Sequence, residues 1–165
     1  HDGFLKIKRV WLKPRARANP RAVHAIKVAD VIVIGPGDVF TSIIPNILVS
    51  GIRTAICKSR AKKVYITNLT TKYGETHHFS ARNFLSVFDR YLGRGVLDVV
   101  VVNTEKPAAS TLKRYHVHHA DWVDYSVLIS TKSKKKLIVV TSKLLRVGKL
   151  LRHDPKKLAD VLSRL

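Results

Sequence analysis

Glycines and hydroxyl side chains that could hold a phosphorylated ligand follow the first of three apolar segments. Gly35 and Gly37 come directly after that segment, and Thr41 and Ser42 follow closely. Glycine lets the backbone turn tightly and approach a ligand, and hydroxyls beside free N–H groups at a helix start can bind phosphate oxygens. The spacing matches neither a Walker loop nor the complete dinucleotide-binding fingerprint. A tight strand-to-helix turn without a ligand is therefore an alternative interpretation.

Two later loops carry further candidates for ligand binding. Residues 68–76 begin with Asn68 and include Gly74, Glu75 and Thr76, and residues 103–107 begin with Asn103. Ligands of open parallel sheets bind beyond the carboxyl ends of the strands, where such loops meet helix N-termini. We therefore expect the three loops to meet at one edge of a sheet.

No set of catalytic side chains stands out. Glu75 has no partner acid or base at a defined spacing, Cys57 has no neighbouring histidine, and Ser42 lacks the Gly-x-Ser-x-Gly elbow of hydrolases. This favours a binding or regulatory protein, although a transferase that works mainly by positioning its substrates stays open. The histidines of residues 116–119, with Asp121 and Asp124, are interpreted as exposed side chains and not as a metal site, since a strand would split them between two faces. A sugar or phosphate contact by the histidines at 77 and 78 stays open.

The elements that must position these loops alternate between strand and helix. Three apolar runs predict buried strands at residues 31–34, 64–68 and 98–103, the first of them buried on both faces. Capping and periodicity predict helices at residues 20–29, 41–51, 52–59, 81–92 and 155–164. Residues 5–12, 117–125 and 137–140 are predicted to be additional strands, the last two joined by the lysine-rich turn 132–136. The pattern predicts a three-layer, Rossmann-like α/β fold with a mainly parallel sheet and helices on both faces.

Composition limits the environment and the partners. The 165 residues include one cysteine and no apolar stretch near the roughly 20 residues that cross a bilayer, which favours a reducing, cytoplasmic compartment without a membrane span. Lys and Arg number 31 against 11 Asp and Glu, so the net charge is +20. This charge attracts polyanions and leaves nucleic-acid binding open as an alternative function. The absence of Met and the start at His1 predict that part of the natural protein is missing.

Four segments resemble motifs of the YvcK/CofD-like family, and the resemblance spans roughly residues 5 to 165. Residues 34–46 read Ile-Gly-Pro-Gly-Asp-Val-Phe-Thr-Ser-Ile-Ile-Pro-Asn, which is similar to the family's glycine-loop signature. Residues 64–68 with the Gly-Glu-Thr at 74–76 resemble its second motif, and residues 98–103 resemble its third strand. Residues 151–155, Leu-Arg-His-Asp-Pro, resemble its C-terminal motif. The chain is thus expected to be the C-terminal part of one such α/β domain, 1–165, without the family's N-terminal Gly-Gly-Gly-Thr-Gly loop.

The resemblance implies a function. One branch of the family binds UDP-sugars such as UDP-N-acetylglucosamine and influences carbon metabolism and cell shape, and the glycine loop and Gly-Glu-Thr loop look like this branch. The other branch contains CofD transferases, which move a phospholactyl group from a guanosine diphosphate carrier, so an enzyme of that type is the alternative. The expected ligand is a UDP-sugar, with no cofactor assigned, and homo-oligomers are plausible because an incomplete sheet exposes an edge.

The resemblance further implies that Tyr115 stacks on the nucleotide base and that Arg152 holds its diphosphate, roles that suit an aromatic face and a guanidinium fork. One departure is Asp38, which stands where the family pattern has Ser and which would weaken diphosphate binding or favour a metal-bridged arrangement. The loops and the resemblance together give these candidate ligand-binding residues: Gly35, Gly37, Asp38, Thr41, Ser42, Asn46, Asn68, Gly74, Glu75, Thr76, Asn103, Tyr115 and Arg152.

Overall fold

Short apolar runs form the strands of one parallel sheet. The computed structural model describes residues 5–126, 128, 137–146, 148 and 150–165. Its strands are β1 (Val31–Ile34), β2 (Lys62–Ile66), β3 (Val99–Asn103) and β4 (Ile138–Ser142), which lie side by side in that order. All three neighbouring pairs are parallel. The predicted α/β class with a mainly parallel sheet is confirmed.

Helices of the described residues occupy the connections between the strands and both ends of the chain. They are α1 (Pro20–Val28), α2 (Ile44–Leu48), α3 (Ile52–Lys58), α4 (Ala81–Tyr91), α5 (Ala109–Val117) and α6 (Pro155–Leu162), and a π-helical turn (Val39–Ile43) runs into α2. None of the helices in the described ranges is long and apolar enough to cross a membrane.

Side-chain caps explain why three of the helices begin where the sequence predicts. The Asn19 side chain accepts a hydrogen bond from Arg21 N at 2.9 Å, and Pro20 occupies the first turn of α1. Ser80 and Asn83 form a capping box at the start of α4. Asp154 accepts from the backbone of residues 156 and 157 at the start of α6. Such caps satisfy backbone N–H groups that have no partner inside the helix.

Helices cover both faces of the sheet, as predicted. The first face packs against α2, α3 and α4, with Tyr65 of β2 and Phe84 and Phe88 of α4 almost wholly buried between them. Right-handed crossovers between strands in sequential order place the connecting helices on one side of the sheet. The helix α6 follows the last strand and packs on the second face, with Leu158 and Val161 against the centre of β2 and β3.

The prediction that β1 is buried on both faces is wrong. Ile32 and Ile34 pack into the core of the first face, but Val31 and Val33 remain 38 % and 44 % exposed. Val33 lies beside the fully buried Val64 in the sheet register, so both point to the second face. The cause is that α6 covers the middle strands, whereas β1 is the edge strand of the described sheet.

Two predicted elements near the N-terminal end differ in the structure. Residues 5–12 form no strand, and the backbone N–H of Val10 donates instead to the Tyr91 hydroxyl at 3.0 Å. The helix predicted at 41–51 begins earlier, with the π-helical turn, and ends at Leu48. Gly51 has φ of +101° and precedes α3, so this left-handed position separates the two helices instead of closing one long helix.

The segment after β3 contains a helix that the sequence did not predict, and the strand predicted at 117–125 is absent. The helix α5 was missed, and residues 118–125 are irregular, with one isolated bridge between Thr70 and Trp122. The strand predicted at 137–140 is confirmed as β4. The predicted turn 132–136 lies outside the described residues.

Paired substitutions test the uncovered face of β1. We expect Val64→Thr to lower the free energy of unfolding by about 1–3 kcal/mol, because a buried hydroxyl loses its hydration. Val33→Thr should change it by less than about 0.5 kcal/mol, since Val33 stays accessible to water. Urea unfolding of both variants measures the difference. Equal losses would mean that the second face of β1 is covered in solution.

Candidate functional site

The carboxyl ends of β1 and β2 open into a cleft. The cleft has a volume of about 710 Å³. Three chain segments line it: residues 36–39, residues 68–72 with Thr76, and the C-terminal group Leu151, Arg152, His153, Pro155 and Leu158. The predicted meeting of the first two loops therefore occurs at this edge, and the C-terminal motif joins them.

Asn103 directs the C-terminal segment to the cleft. Its Oδ1 accepts a hydrogen bond from Leu144 N at 2.8 Å, and its amide nitrogen donates to Glu105 O at 2.8 Å. The chain then reverses, since Arg146 N donates to Arg152 O at 2.9 Å and Asp154 N donates to Leu144 O at 2.7 Å. This reversal lays residues 151–155 along the carboxyl edge before α6 begins.

Asn68 joins the first two loops directly. Its amide nitrogen donates to Gly37 O at 2.8 Å, and its Oδ1 accepts a hydrogen bond from the Tyr65 hydroxyl at 2.8 Å. The two contacts fix the orientation of the amide, because donor and acceptor ends each have a matching partner. Asn68 thus holds the glycine loop against the end of β2.

The Glu75 carboxylate makes the second link between these loops. Its Oε2 accepts from Phe40 N at 3.3 Å, and its Oε1 accepts from the Thr41 hydroxyl at 2.9 Å. Lys72 Nζ lies 3.0 Å from Oε1. The carboxylate is buried and surrounded by these donors, which offset the loss of its hydration. Glu75 and Thr41 therefore hold the start of the π-helical turn.

Lys72 also forms an ion pair with Asp38 across the mouth of the cleft. Both side chains are about half exposed, at 48 % for Lys72 and 42 % for Asp38. The pKa of Lys72 is raised because Asp38, and to a smaller extent Glu75, accept hydrogen bonds from its ammonium group. The negative charge of Asp38 is therefore compensated by an internal cation.

Arg152 brings a second cation to the cleft. Its side chain is exposed, and its backbone carbonyl is fixed by Arg146 N. Its guanidinium forms no ion pair with any carboxylate of the described ranges. The fork of donors is thus available for a planar or tetrahedral anion.

Five of the predicted residues line the cleft: Gly37, Asp38, Asn68, Thr76 and Arg152. The others lie outside its lining: Gly35, Thr41, Ser42, Asn46, Gly74, Glu75, Asn103 and Tyr115. Several of these make structural contacts, since the Asn46 side chain donates to Ser42 O and the Tyr115 hydroxyl accepts from Leu151 N at 2.9 Å. The ligand contacts of all thirteen residues stay predictions.

Two ionisable residues of the cleft, Lys72 and His153, were not among the predicted ones. Lys72 belongs to the loop 68–76, but no spacing rule connects it with Asp38. His153 follows Arg152 in the C-terminal motif, and its Nε2 is buried without a hydrogen-bond partner in the described structure. Burial lowers the pKa of His153 to about 4. The imidazole is therefore neutral at physiological pH.

The histidine-rich segment lies outside the cleft lining. His116 is on α5, and its Nδ1 lies 2.6 Å from Asp121 Oδ1. Within the described ranges, no group of three or more His, Cys, Asp or Glu side chains is arranged to hold a metal ion. His77 is buried, and its ring lies near those of Tyr73 and His78.

Comparison with known proteins decides the family. Residues 2–145 match the family described as 2-phospho-L-lactate transferase CofD. The chain belongs to the YvcK/CofD-like family. It is 38 % identical to an Aquifex aeolicus protein over 162 residues, which are 97 % of the chain and 49 % of that protein. It is also 35 % identical over 164 residues to the gluconeogenesis factor of Bacillus subtilis, with 97 % of the chain and 50 % of that protein covered.

A solved structure of the same family has the same fold. The crystal structure of a UPF0052 family member from Bacillus halodurans superposes with a TM-score of 0.86 at 34 % sequence identity. The match covers 96 % of this chain and 51 % of that one. The chain therefore spans about half the length of the YvcK/CofD-like relatives that it matches.

The neutral His153 makes stability depend on pH. The unfolded chain binds a proton at this residue below about pH 6.5, whereas the folded protein does so only near pH 4. The stability from neutral burial is thus complete above pH 6.5 and is lost as the pH falls through 4. We expect His153→Gln to reduce the decrease in the urea midpoint between pH 7 and pH 4.5. His118→Gln, at an exposed histidine, serves as the control, and an equal effect of both would contradict the assignment.

Proposed function

We propose that the cleft binds a nucleotide diphosphate-linked sugar of the UDP-N-acetylglucosamine class and that the protein is a regulator of central carbon metabolism. The observation that carries the proposal is the convergence of the glycine loop, Asn68 and Arg152 at one end of the sheet, where Arg152 has no ion-pair partner among the described residues. The volume of about 710 Å³ lies within the usual range of roughly 300–1,000 Å³ for small-molecule sites.

The two glycines of the first loop support a ligand in preference to a plain turn. A Cβ atom at Gly35 would meet no atom within 4 Å, and one at Gly37 would make only ordinary contacts, the nearest at 3.7 Å. Neither residue has the left-handed φ that favours glycine. The fold itself tolerates a side chain at both positions. Because Gly37 lines the cleft, the close approach of a ligand is a reason for glycine at this position.

The charges of the cleft suit a diphosphate. Arg152 offers a bidentate fork, and the glycine loop lines the same cleft. The excess of basic residues in the whole chain adds a long-range field that attracts anions. A diphosphate-linked ligand is thus favoured over a neutral one.

The regulatory role rests on the relatives. The Bacillus subtilis protein is named a gluconeogenesis factor, and this chain matches half of it. In the cleft lining, the Asp38 carboxylate and the Lys72 ammonium group are already paired with each other. The described lining offers no evident acid–base pair for turnover. Binding without chemistry agrees with this lining, and the family resemblance implies a further role in cell shape.

A transferase is the second candidate. The match of residues 2–145 to the phospholactate transferase family favours it, because transfer from a diphosphate carrier can depend mainly on positioning. Incubation with a guanosine diphosphate-linked donor and an acceptor, followed by chromatography, distinguishes the two. Product formation would support the transferase, and saturable binding of UDP-N-acetylglucosamine without product would support the regulator.

Arg152 provides the direct test of diphosphate binding. We expect Arg152→Ala to weaken the binding of UDP-N-acetylglucosamine by about 10- to 100-fold, the usual cost of losing a charged hydrogen bond. Calorimetric titration measures it. Arg60→Ala is the matched control, because Arg60 is exposed and precedes β2 at the opposite edge of the sheet. Equal weakening by both variants, or steep salt-dependent binding of duplex DNA in place of the sugar nucleotide, would contradict the proposal.

Tyr115 can act by its hydroxyl or by its ring. In the structure, the hydroxyl accepts a hydrogen bond from Leu151 N and so positions the residue before Arg152. We expect Tyr115→Phe to weaken ligand binding several-fold, on the order of the 0.5–1.5 kcal/mol of one hydrogen bond. If Phe binds normally and only Tyr115→Ala loses the ligand, the ring stacks on the base as the family resemblance implies.

A further inference from the structure

The ion pair between Asp38 and Lys72 lies in the lining of the cleft. Both residues line the cleft, one on the glycine loop and the other on the loop after β2. Both side chains are about half exposed, so water and dissolved ions reach the pair. Exposed ion pairs contribute little to stability and exchange partners readily.

Among the described residues, no contact besides this pair gives the Asp38 carboxylate a structural task. It precedes the π-helical turn, but its side chain makes no capping hydrogen bond there. The N–H of Phe40 at the start of the turn donates to Glu75 Oε2 instead, and the Asp38 carbonyl accepts the ordinary helical hydrogen bonds from Ser42 and Ile43. The carboxylate of Asp38 is therefore free to separate from Lys72 without loss of the local fold.

Lys72 is held differently, because it has a second carboxylate. Glu75 Oε1 lies 3.0 Å from Lys72 Nζ, and the Glu75 side chain is only 9 % exposed. Glu75 is itself fixed by Phe40 N and the Thr41 hydroxyl. If Lys72 leaves Asp38, Glu75 still keeps its ammonium group at the cleft.

We propose that Lys72 exchanges Asp38 for the phosphate groups of the ligand, so that Asp38 is an internal competitor that lowers the affinity of the cleft for anions. The inference rests on the proposed function, since it assigns a further phosphate contact to the same site. In this arrangement, Lys72 and Arg152 hold the diphosphate. Part of the binding free energy of the ligand is used to separate Lys72 from Asp38.

The decisive variant is Asp38→Asn, which keeps the size of the side chain and removes its charge. We expect it to raise the affinity of the chain for inorganic pyrophosphate and for UDP-N-acetylglucosamine by roughly 3- to 10-fold at low ionic strength. Asp160→Asn, at an exposed carboxylate on α6, is the matched control and should leave both affinities unchanged. Unchanged or weaker binding by Asp38→Asn would overturn the inference.

A double-mutant cycle separates exchange from simple repulsion. Lys72→Gln should weaken pyrophosphate binding, and in that background Asp38→Asn should have an effect at least about twofold smaller than in the natural chain. An equal effect in both backgrounds means that Asp38 only repels the ligand and that Lys72 does not exchange. Thermal melts of each variant confirm that the chains compared are folded.

The two ligands distinguish failure of this inference from failure of the proposed function. If Asp38→Asn strengthens pyrophosphate binding but no variant binds UDP-N-acetylglucosamine, the exchange stands and the sugar nucleotide is the wrong ligand. If the natural chain binds UDP-N-acetylglucosamine and Asp38→Asn changes neither affinity, the exchange is wrong and the proposed function stands. The absence of binding of either ligand by every variant overturns both.

Discussion

The buried carboxylate of Glu75 is the interaction on which the site depends. It connects the loop after β2 with the backbone and hydroxyl of the turn after β1, across a sequence separation of 35 residues. A charged group leaves water only when hydrogen bonds replace its hydration, so its three donors must stay in place together. The spacing of the two loops, and hence the width of the cleft, follows from that requirement.

The elements with local signals were predicted well. Asn19 with Pro20 and Asp154 with Pro155 mark helix starts because the cap and the proline act within one turn. The helix α5 has no side-chain cap at Ala108 and carries no buried residue, so its sequence offers neither signal. The alternation in residues 5–12 was misleading, because alternation alone does not supply a neighbouring strand, and Val10 bonds to a tyrosine hydroxyl instead.

The candidate site was predictable in its position but only partly in its contacts. The carboxyl edge follows from the parallel strands, and Gly37, Asn68 and Arg152 of the predicted set line the cleft. The ion pair of Asp38 with Lys72 joins residues 34 positions apart and has no sequence pattern. From the sequence alone, the charge of Asp38 suggests that it repels phosphates. The compensating Lys72 is brought beside Asp38 only by the fold. The exposure of Val31 and Val33 depends on α6 packing on the middle strands and not on β1, which no local signal encodes.

The return of the chain after β4 sets the order in which the cleft can form. Its first two walls come from residues 36–39 and 68–72. Its third wall comes from residues 151–158, which lie beyond β4 and far along the chain from β2. Closing such long loops is entropically costly, so contacts of this separation form late in folding. A molecule bound in the cleft also bridges the early and late parts of the chain. Its binding free energy therefore stabilises the docking of the C-terminal segment. As more clefts are occupied by ligand, a larger fraction of chains has this segment docked.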